Sequence, residues 1–310
     1  VLKGIDALLD EARPDLSIVH GDTTTTFAAA LASFYRQISV AHVEAGLRTD
    51  DVYNPYPEEM NRRLTDRLSR LYYAPTQSAR SALLAEGVPE TQILVTGNTV
   101  IDALLMTVAK PSSDLGPKLA RVLGTPGPKV LVTAHRRESW GVPMERVAQS
   151  IAEVCTRLRD VTFILPLHLN PVIRTTFAQV LDSMDQVVFT EPLPYGTFVH
   201  VMEAVDVIMT DSGGLQEEAP SLGKPVLVMR STTERPEGIA AGTARLVGTD
   251  PEVIVAELLR LLTDTECYRA MASAHNPYGD GRAAGRIADH LECYFGLRSS
   301  PPEEFAPQTG

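Results

Sequence analysis

Val205-Asp206-Val207-Ile208-Met209 runs straight into Thr210-Asp211-Ser212-Gly213-Gly214-Leu215-Gln216-Glu217-Glu218, and Pro225-Val226-Leu227-Val228-Met229 comes after a short spacer. Two β-rich apolar runs flanking a segment that opens on Ser-Gly-Gly read as strand, helix, strand. Alone, Gly213-Gly214 says only that the turn is tight. Its surroundings say more, because Arg230 and Thr232-Thr233-Glu234-Arg235-Pro236-Glu237 come directly after the very next strand. In an open parallel sheet, ligands bind at the carboxyl ends of the strands, and both segments stand at such ends. Backbone N–H groups at the start of a helix, with cations beside them, make a pocket for a phosphate or diphosphate. Glu218, one turn into the helix, is placed to reach a ribose hydroxyl.

The same rhythm extends in both directions. Leu16–His20, Ile38–Val43, Leu71–Ala74 and Ile93–Thr96 form a first series of short β-rich runs, each separated from the next by enough chain for a helix. A second series starts at Val130–Thr133 and continues through Thr162–Leu165, Val187–Phe189, Val207–Met209, Val226–Val228 and Arg245–Val247. The expectation is an α/β protein with two doubly wound parallel sheets. The stretches Lys110–Gly116 and Thr125–Pro128, rich in Pro, Gly and Ser, place a linker near Ser113 to Pro128. The expected domains are therefore residues 1–115, residues 116–295 and a frayed, aperiodic tail over 296–310. Asp280–Phe295 reads as a closing helix that crosses back to the first domain. Val1–Leu9 reads as an amphipathic helix where an α/β domain ordinarily has its first strand, so a leading portion is expected to be missing.

Composition removes several classes of function. With 310 residues and 44% hydrophobic content, full cores are available, while a formal net charge of −11 offers no basic surface to nucleic acid or to an anionic membrane. Phosphate binding must then be local. Cys155, Cys267 and Cys293 are widely spaced without a CxxC pair, as in a reduced, cytoplasmic protein. No signal peptide or long apolar run is present. Neither a dinucleotide GxGxxG nor a Walker GxxxxGK[ST] occurs, no histidines stand at metal-ligand spacing, and no cofactor or metal is expected.

Three carboxylates mark strand ends or a helix start in the first series. Asp22 precedes Thr23-Thr24-Thr25-Thr26, where it is equally readable as the N-cap of the next helix. Glu44 ends the next strand in His42-Val43-Glu44-Ala45-Gly46-Leu47-Arg48, and Glu58 opens a helix in Pro57-Glu58-Glu59-Met60-Asn61-Arg62. Grouped carboxylates at one sheet edge are acid/base candidates. In the second series, Thr133-Ala134-His135-Arg136-Arg137-Glu138 brings cations to the edge that carries Ser212, Gly213 and Gly214. His168 is a weaker candidate, and Tyr195 and Phe198, read as a loop after the third strand, are placed either under a base or in the core.

Taken together, His20–Thr26, His42–Thr49, Pro57–Arg62, Thr96–Asp102, His135–Glu138, Asp211–Gly214, Thr233–Glu237 and His275–Gly281 resemble the non-hydrolysing UDP-N-acetylglucosamine 2-epimerases, with the resemblance running from about Leu16 to Tyr294. The resemblance implies a GT-B fold of two Rossmann-like domains with the active site in the cleft between them. It also implies reversible conversion of UDP-N-acetylglucosamine to UDP-N-acetylmannosamine through loss of UDP, a 2-acetamidoglucal, and re-addition. On it, Asp22, Glu44, Glu58 and His135 fall on the catalytic set, and Ser212, Gly213, Gly214 and Glu218 on UDP-binding positions. Phe198 falls near the uracil, and Arg62 and Arg235 are further substrate contacts. Family members are homodimers in which UDP-N-acetylglucosamine is also an allosteric activator, and they carry a longer front holding a further strand and a substrate-contacting arginine. A chain without that front is expected to lose catalysis and to expose a sheet edge. The rival readings are a hydrolysing epimerase or UDP-sugar glycosyltransferase of the same fold, and a non-catalytic UDP-binding remnant.

Overall fold

The computed structural model describes residues 1–49, 51–111, 115–136 and 139–307. The chain divides into two compact units, Val1–Asp102 with Tyr278–Pro307, and Ala103–Pro277.

The first unit begins with α1 (Leu2–Ala12), β1 (Leu16–His20), α2 (Thr24–Tyr35), β2 (Ser39–Val43), α3 (Glu58–Leu68), β3 (Leu71–Ala74), α4 (Gln77–Ala85), β4 (Ile93–Val95) and the start of α5 (Thr99–Val108). Its strands lie parallel in the order β1-β2-β3-β4, with Val19 opposite His42 and His20 opposite Val43. Side chains alternate across the sheet. Ala41, Val43, Leu71, Tyr73 and Leu94 form one core with Ile287, while Tyr72, Ala74, Ile93 and Val95 form another with Leu83 and Phe305. Burial on both faces is what a parallel sheet requires, and it explains why these strands read as unbroken apolar runs.

The second unit contains α6 (Gly116–Leu123), β5 (Lys129–Thr133), α7 (Val142–Arg157), β6 (Thr162–Pro166), α8 (Pro171–Leu181), β7 (Val187–Thr190), α9 (Tyr195–Ala204), β8 (Val207–Thr210), α10 (Gly213–Glu218), β9 (Val226–Val228), α11 (Pro236–Ala240), β10 (Ala244–Leu246), α12 (Pro251–Thr263) and α13 (Thr265–Ala272). Its parallel strands run in the order β10-β9-β8-β5-β6-β7. From β5 the chain winds outward through β6 and β7, then returns to β8 and winds the other way. The switch point therefore lies between the carboxyl ends of β5 and β8. Beyond α13, helix α14 (Ala283–Tyr294) rejoins the first unit, where the Asp102 carboxylate accepts hydrogen bonds from the N–H groups of Ala283 (3.1 Å) and Ala284 (2.9 Å).

Several expectations need correcting. The division between units falls inside α5, not in the Pro/Gly-rich stretch at 113–128, and residues 278–307 belong with the first unit instead of extending a domain over 116–295. Ser112, Ser113 and Asp114 lie outside the described residues, but the next element in the chain is α6, whose Leu119 is buried with Leu104, Leu131 and Ile164. Pro117 in that helix's first turn is a helix start rather than a linker signal. The tail expected to fray is anchored as far as it is described. Phe305 is buried, its N–H donates to the Val95 carbonyl (2.8 Å), and the Arg286 guanidinium stands 5.6 Å from its ring centre. One aromatic side chain in a polar, Pro-rich tail leaves no periodicity to read. Residues 308–310 lie outside the described residues.

Candidate functional site

At the switch point of the second unit, β5 and β8 end side by side, with Thr133 Oγ1 and Thr210 Oγ1 2.7 Å apart. Thr210 Oγ1 also accepts from the Ser212 N–H (2.9 Å), which shapes the turn into α10. The buried Asp211 carboxylate lies beneath the neighbouring loop: its Oδ2 accepts from the N–H groups of His135 (2.8 Å) and Arg136 (2.9 Å). Asp211 Oδ1 stands 3.0 Å from His135 Nδ1, an ion-pair approach without the alignment of a full hydrogen bond. Burial raises this carboxyl, but the His135 ring and the two backbone donors outweigh it and hold it below its usual range.

A cavity of about 330 Å³ opens at the same edge, lined by His135, His168, Pro192, Tyr195, Phe198, Ser212, Gly214 and Glu218 among others. Phe198 both lines this cavity and packs against the core, and it stands in α9 and not in a loop. The Tyr195 hydroxyl donates to Glu218 Oε1 (2.8 Å). Burial pushes the Glu218 carboxyl up to about 6, with the Tyr195 bond opposing and the charge of Glu217 adding to the rise. Beside the turn, the Nη2 atoms of Arg136 and Arg235 lie 3.8 and 3.9 Å from where a Cβ on Gly213 would stand, so two guanidinium groups flank the turn. Carboxylates orient them: Arg235 Nε donates to Glu217, and Arg136 Nη1 is 3.5 Å from Glu234 Oε1. Burial raises Glu234, but Arg230 above all draws it down to about 2. Two larger hollows, of about 450 and 520 Å³, lie along α6 and β7. Two of their cations are engaged, Lys118 with the Phe189 carbonyl and Arg174 with Glu191, and the hollows lie away from the switch point. Chemistry favours the smaller cavity.

In the first unit the predicted carboxylates stand on three adjoining elements. Gly21 is joined to β2 by its N–H to the Val43 carbonyl (3.0 Å), which sets Asp22 just beyond the sheet edge. Asp22 is not the N-cap of α2, since the Thr23 hydroxyl accepts from the Thr26 N–H instead. Its carboxylate faces Arg62 of α3, whose Nε and Nη2 donate to Oδ2 at 3.1 and 2.5 Å. Glu44 has a φ of 69°, a left-handed conformation that costs a residue with a Cβ on the order of 1–2 kcal/mol. Strain of this kind at a strand end points to a side chain aimed for a purpose. The Glu44 carboxylate accepts from Asn98 Nδ2 (3.1 Å) and lies 3.6 Å from His20 Nε2. Glu58 opens α3 and is partly exposed, whereas Glu59 beside it is fully buried and accepts from the Thr49 N–H, Arg62 and Arg63. Arg62 is thereby held between Asp22 and Glu59.

A family model described as UDP-N-acetylglucosamine 2-epimerase matches residues 1–292. The chain belongs to this family. It is 50% identical to the UDP-N-acetylglucosamine 2-epimerase of Salmonella typhimurium, over 95% of this chain and 80% of that protein, and 48% identical to that of Bacillus subtilis, over 97% and 78%. Among solved structures it is similar to the S. aureus MnaA–UDP co-structure, with a TM-score of 0.93 and 42% identity over 98% of this chain and 82% of that one. It also matches the UDP-GlcNAc 2-epimerase from Neisseria meningitidis bound to UDP-GlcNAc, with a TM-score of 0.85 and 44% identity over 94% and 79%. Both the α/β class and the GT-B fold follow from these likenesses, and the chain is an isomerase of the epimerase family.

Against this family background, His135, Phe198, Ser212, Gly214 and Glu218 share one cavity, and Gly213 and Arg235 meet at its rim. Asp22 and Arg62 form an ion pair, and Glu44 stands at the end of the neighbouring strand. Arg137 and Glu138 lie outside the described residues. Sequence reasoning missed the roles of Asp211 and Glu59. Asp211 sits at the first position after β8, where the polarity of a residue about to be buried was the available signal. Glu59, next to the chosen Glu58, gives no such sign, because helix phase decides which of two adjacent acids turns inward.

Proposed function

We propose that this chain interconverts UDP-N-acetylglucosamine and UDP-N-acetylmannosamine by eliminating UDP and adding it back. The observation that carries the reading is the cavity at the switch point, lined by Ser212, Gly214 and Glu218 with two guanidinium groups beside Gly213, in a chain of this family. In the forward step a base takes the C2 proton, the C1–O bond to the diphosphate breaks with its electron pair, and a C1–C2 double bond forms. In the return, a diphosphate oxygen re-adds to C1 while C2 takes a proton on its other face. Two faces call for more than one acid/base group, which Asp22, Glu44 and Glu58 supply as a set. The departing UDP gains charge as its bond breaks, and Arg136, Arg235 and the turn's N–H groups are the preorganised response. His135, held from beneath by Asp211, is the remaining candidate for proton transfer or for the diphosphate.

Glu218 is assigned to the ribose and Phe198 to the uracil, an aromatic face beside an apolar wall. Dimerisation and activation by the substrate itself rest on the family resemblance. They are read by sedimentation and by sigmoidal dependence of rate on UDP-N-acetylglucosamine. The primary test is to incubate the chain with UDP-N-acetylglucosamine in deuterated water. Intact UDP-N-acetylmannosamine carrying deuterium at C2 supports the reading. Free UDP with N-acetylmannosamine means hydrolysis instead, UDP binding without turnover means a binding remnant, and no UDP binding removes the pocket assignment as well.

A further inference from the structure

The first unit holds a fully buried histidine that the proposed chemistry does not use. His42, on β2, has both ring nitrogens engaged: Nδ1 lies 2.6 Å from Asp66 Oδ1 and Nε2 lies 2.8 Å from the Gly21 carbonyl oxygen. A carbonyl oxygen only accepts, so Nε2 must carry a proton. The Asp66 carboxylate is occupied on its other oxygen by two donors, Arg48 Nη2 (2.7 Å) and the Gly46 N–H (3.3 Å), which favours its ionised form and leaves Oδ1 as an acceptor too. With acceptors at both ends, the ring satisfies them only with both nitrogens protonated.

The elements tied together by this ring are the ones that carry the candidate carboxylates. Gly21 immediately precedes Asp22, His42 stands two residues before Glu44, and Asp66 lies on α3, the helix of Glu58 and Arg62. The charged groups around it are Asp66 and Arg48, with Glu86 on the far side of Arg48, and His20 and Asp22 at the end of β1. Burying an imidazolium is costly unless it is paired and hydrogen-bonded at both ends, as it is here. A neutral side chain would be the cheaper way to fill this space if packing were its only task.

We propose that His42 is a positioning residue, a buried imidazolium that clamps the Gly21 carbonyl to Asp66 and so sets Asp22 relative to Glu44 and α3. The charge state rests on this geometry alone, while the positioning role rests on the epimerase reading above. Isotope-edited NMR of the histidine ring nitrogens in the full chain, with the His42 signals identified by their loss in His42→Gln, tests the charge. Both nitrogens are expected to carry a proton near neutral pH, as two acceptors require. A His42 nitrogen found unprotonated near neutral pH overturns the proposal, whether or not the chain epimerises. For the role, His42→Gln keeps one donor but no charge. It is expected to lower kcat on the order of 100-fold, the scale of an ångström's misplacement, with KM and UDP affinity within about twofold of the parent. Wild-type kcat in a folded His42→Gln chain, or a loss of UDP affinity equal to the loss of kcat, overturns it. If that variant fails to fold, the His42 ring signals are assigned in the parent chain by through-bond correlation to the His42 backbone, and they still decide the clamp. If the parent shows no turnover while the ring stays doubly protonated, it is the epimerase reading that fails.

Discussion

The two units carry different materials at their sheet edges. At the edge of the first sheet, Asp22 pairs with Arg62 and Arg62 with Glu59, while the Glu44 carboxylate accepts from the Asn98 amide and lies 3.6 Å from His20 Nε2. At the edge of the second, the paired groups Arg235–Glu217 and Arg136–Glu234 flank a turn, and beside it a cavity is lined by backbone, aromatic rings and one carboxyl with a raised pKa. A network of paired charges holds its carboxylates in fixed orientation, which suits proton transfer. A cavity walled by backbone and rings instead gains from filling, which suits holding a nucleotide. The difference teaches that turnover and binding are separable in this chain, and substitutions should part them.

The largest effect is expected from Asp22→Asn, which keeps size and removes the carboxylate facing Arg62. We expect kcat for epimerisation to fall on the order of 10³-fold, the scale of a lost acid/base group, while UDP titrated by calorimetry binds as before. An equal loss of UDP affinity would erase the contrast between the units. Next comes Phe305→Ala. The ring is buried against the first sheet, so its removal is expected to cost about 3–5 kcal/mol of unfolding free energy, measured by denaturant titration, with UDP affinity unchanged. Third is Glu218→Ala, with an expected loss of about 1–3 kcal/mol in UDP binding in a chain that remains folded. A variant that binds UDP normally would remove Glu218 from the nucleotide site.

The legibility of this contrast in the sequence depends on what a sequence records well. The strands were visible because a parallel sheet buried on both faces leaves short unbroken runs such as Leu71–Ala74 and Val226–Val228, and their ends located Asp22, Glu44, His135 and Ser212. The unit division was not, because α5 carries the chain from one unit to the other without a break in helical pattern, while Pro117 imitates a linker. The Thr23 cap was hidden by a run of four threonines, any of which accepts as well as Asp22 does. Partners brought from far along the chain, such as Asp211 under His135 or Asp66 under His42, leave no local mark. Such pairs are the work of topology, and it took the register of the sheets to bring them together.

The smallest and sharpest test asks whether the raised Glu218 carboxyl governs nucleotide binding. Without nucleotide its pKa is about 6, above its ordinary value, because burial disfavours the charged form. A carboxylate accepts from both ribose hydroxyls, whereas the protonated acid offers fewer acceptors, so binding should weaken as pH falls through 6. For folding the sign is opposite: the native state holds this proton more tightly than the unfolded chain, so Glu218 makes a contribution to stability that is present at low pH and lost between the ordinary carboxyl value and about 6. Affinity and stability should thus move in opposite directions across one narrow window. Uridine is the probe to use, since phosphate has its own second ionisation near pH 6 and would blur the result. Between pH 7.5 and 5 the affinity for uridine is expected to drop about tenfold in the parent chain, the fraction set by one proton, and to stay flat in Glu218→Gln. Tyr195→Phe removes the hydroxyl that holds the pKa down, so its midpoint should move above that of the parent. A midpoint that stays put would mean that the Tyr195 hydroxyl does not hold the Glu218 carboxyl in the nucleotide-free chain.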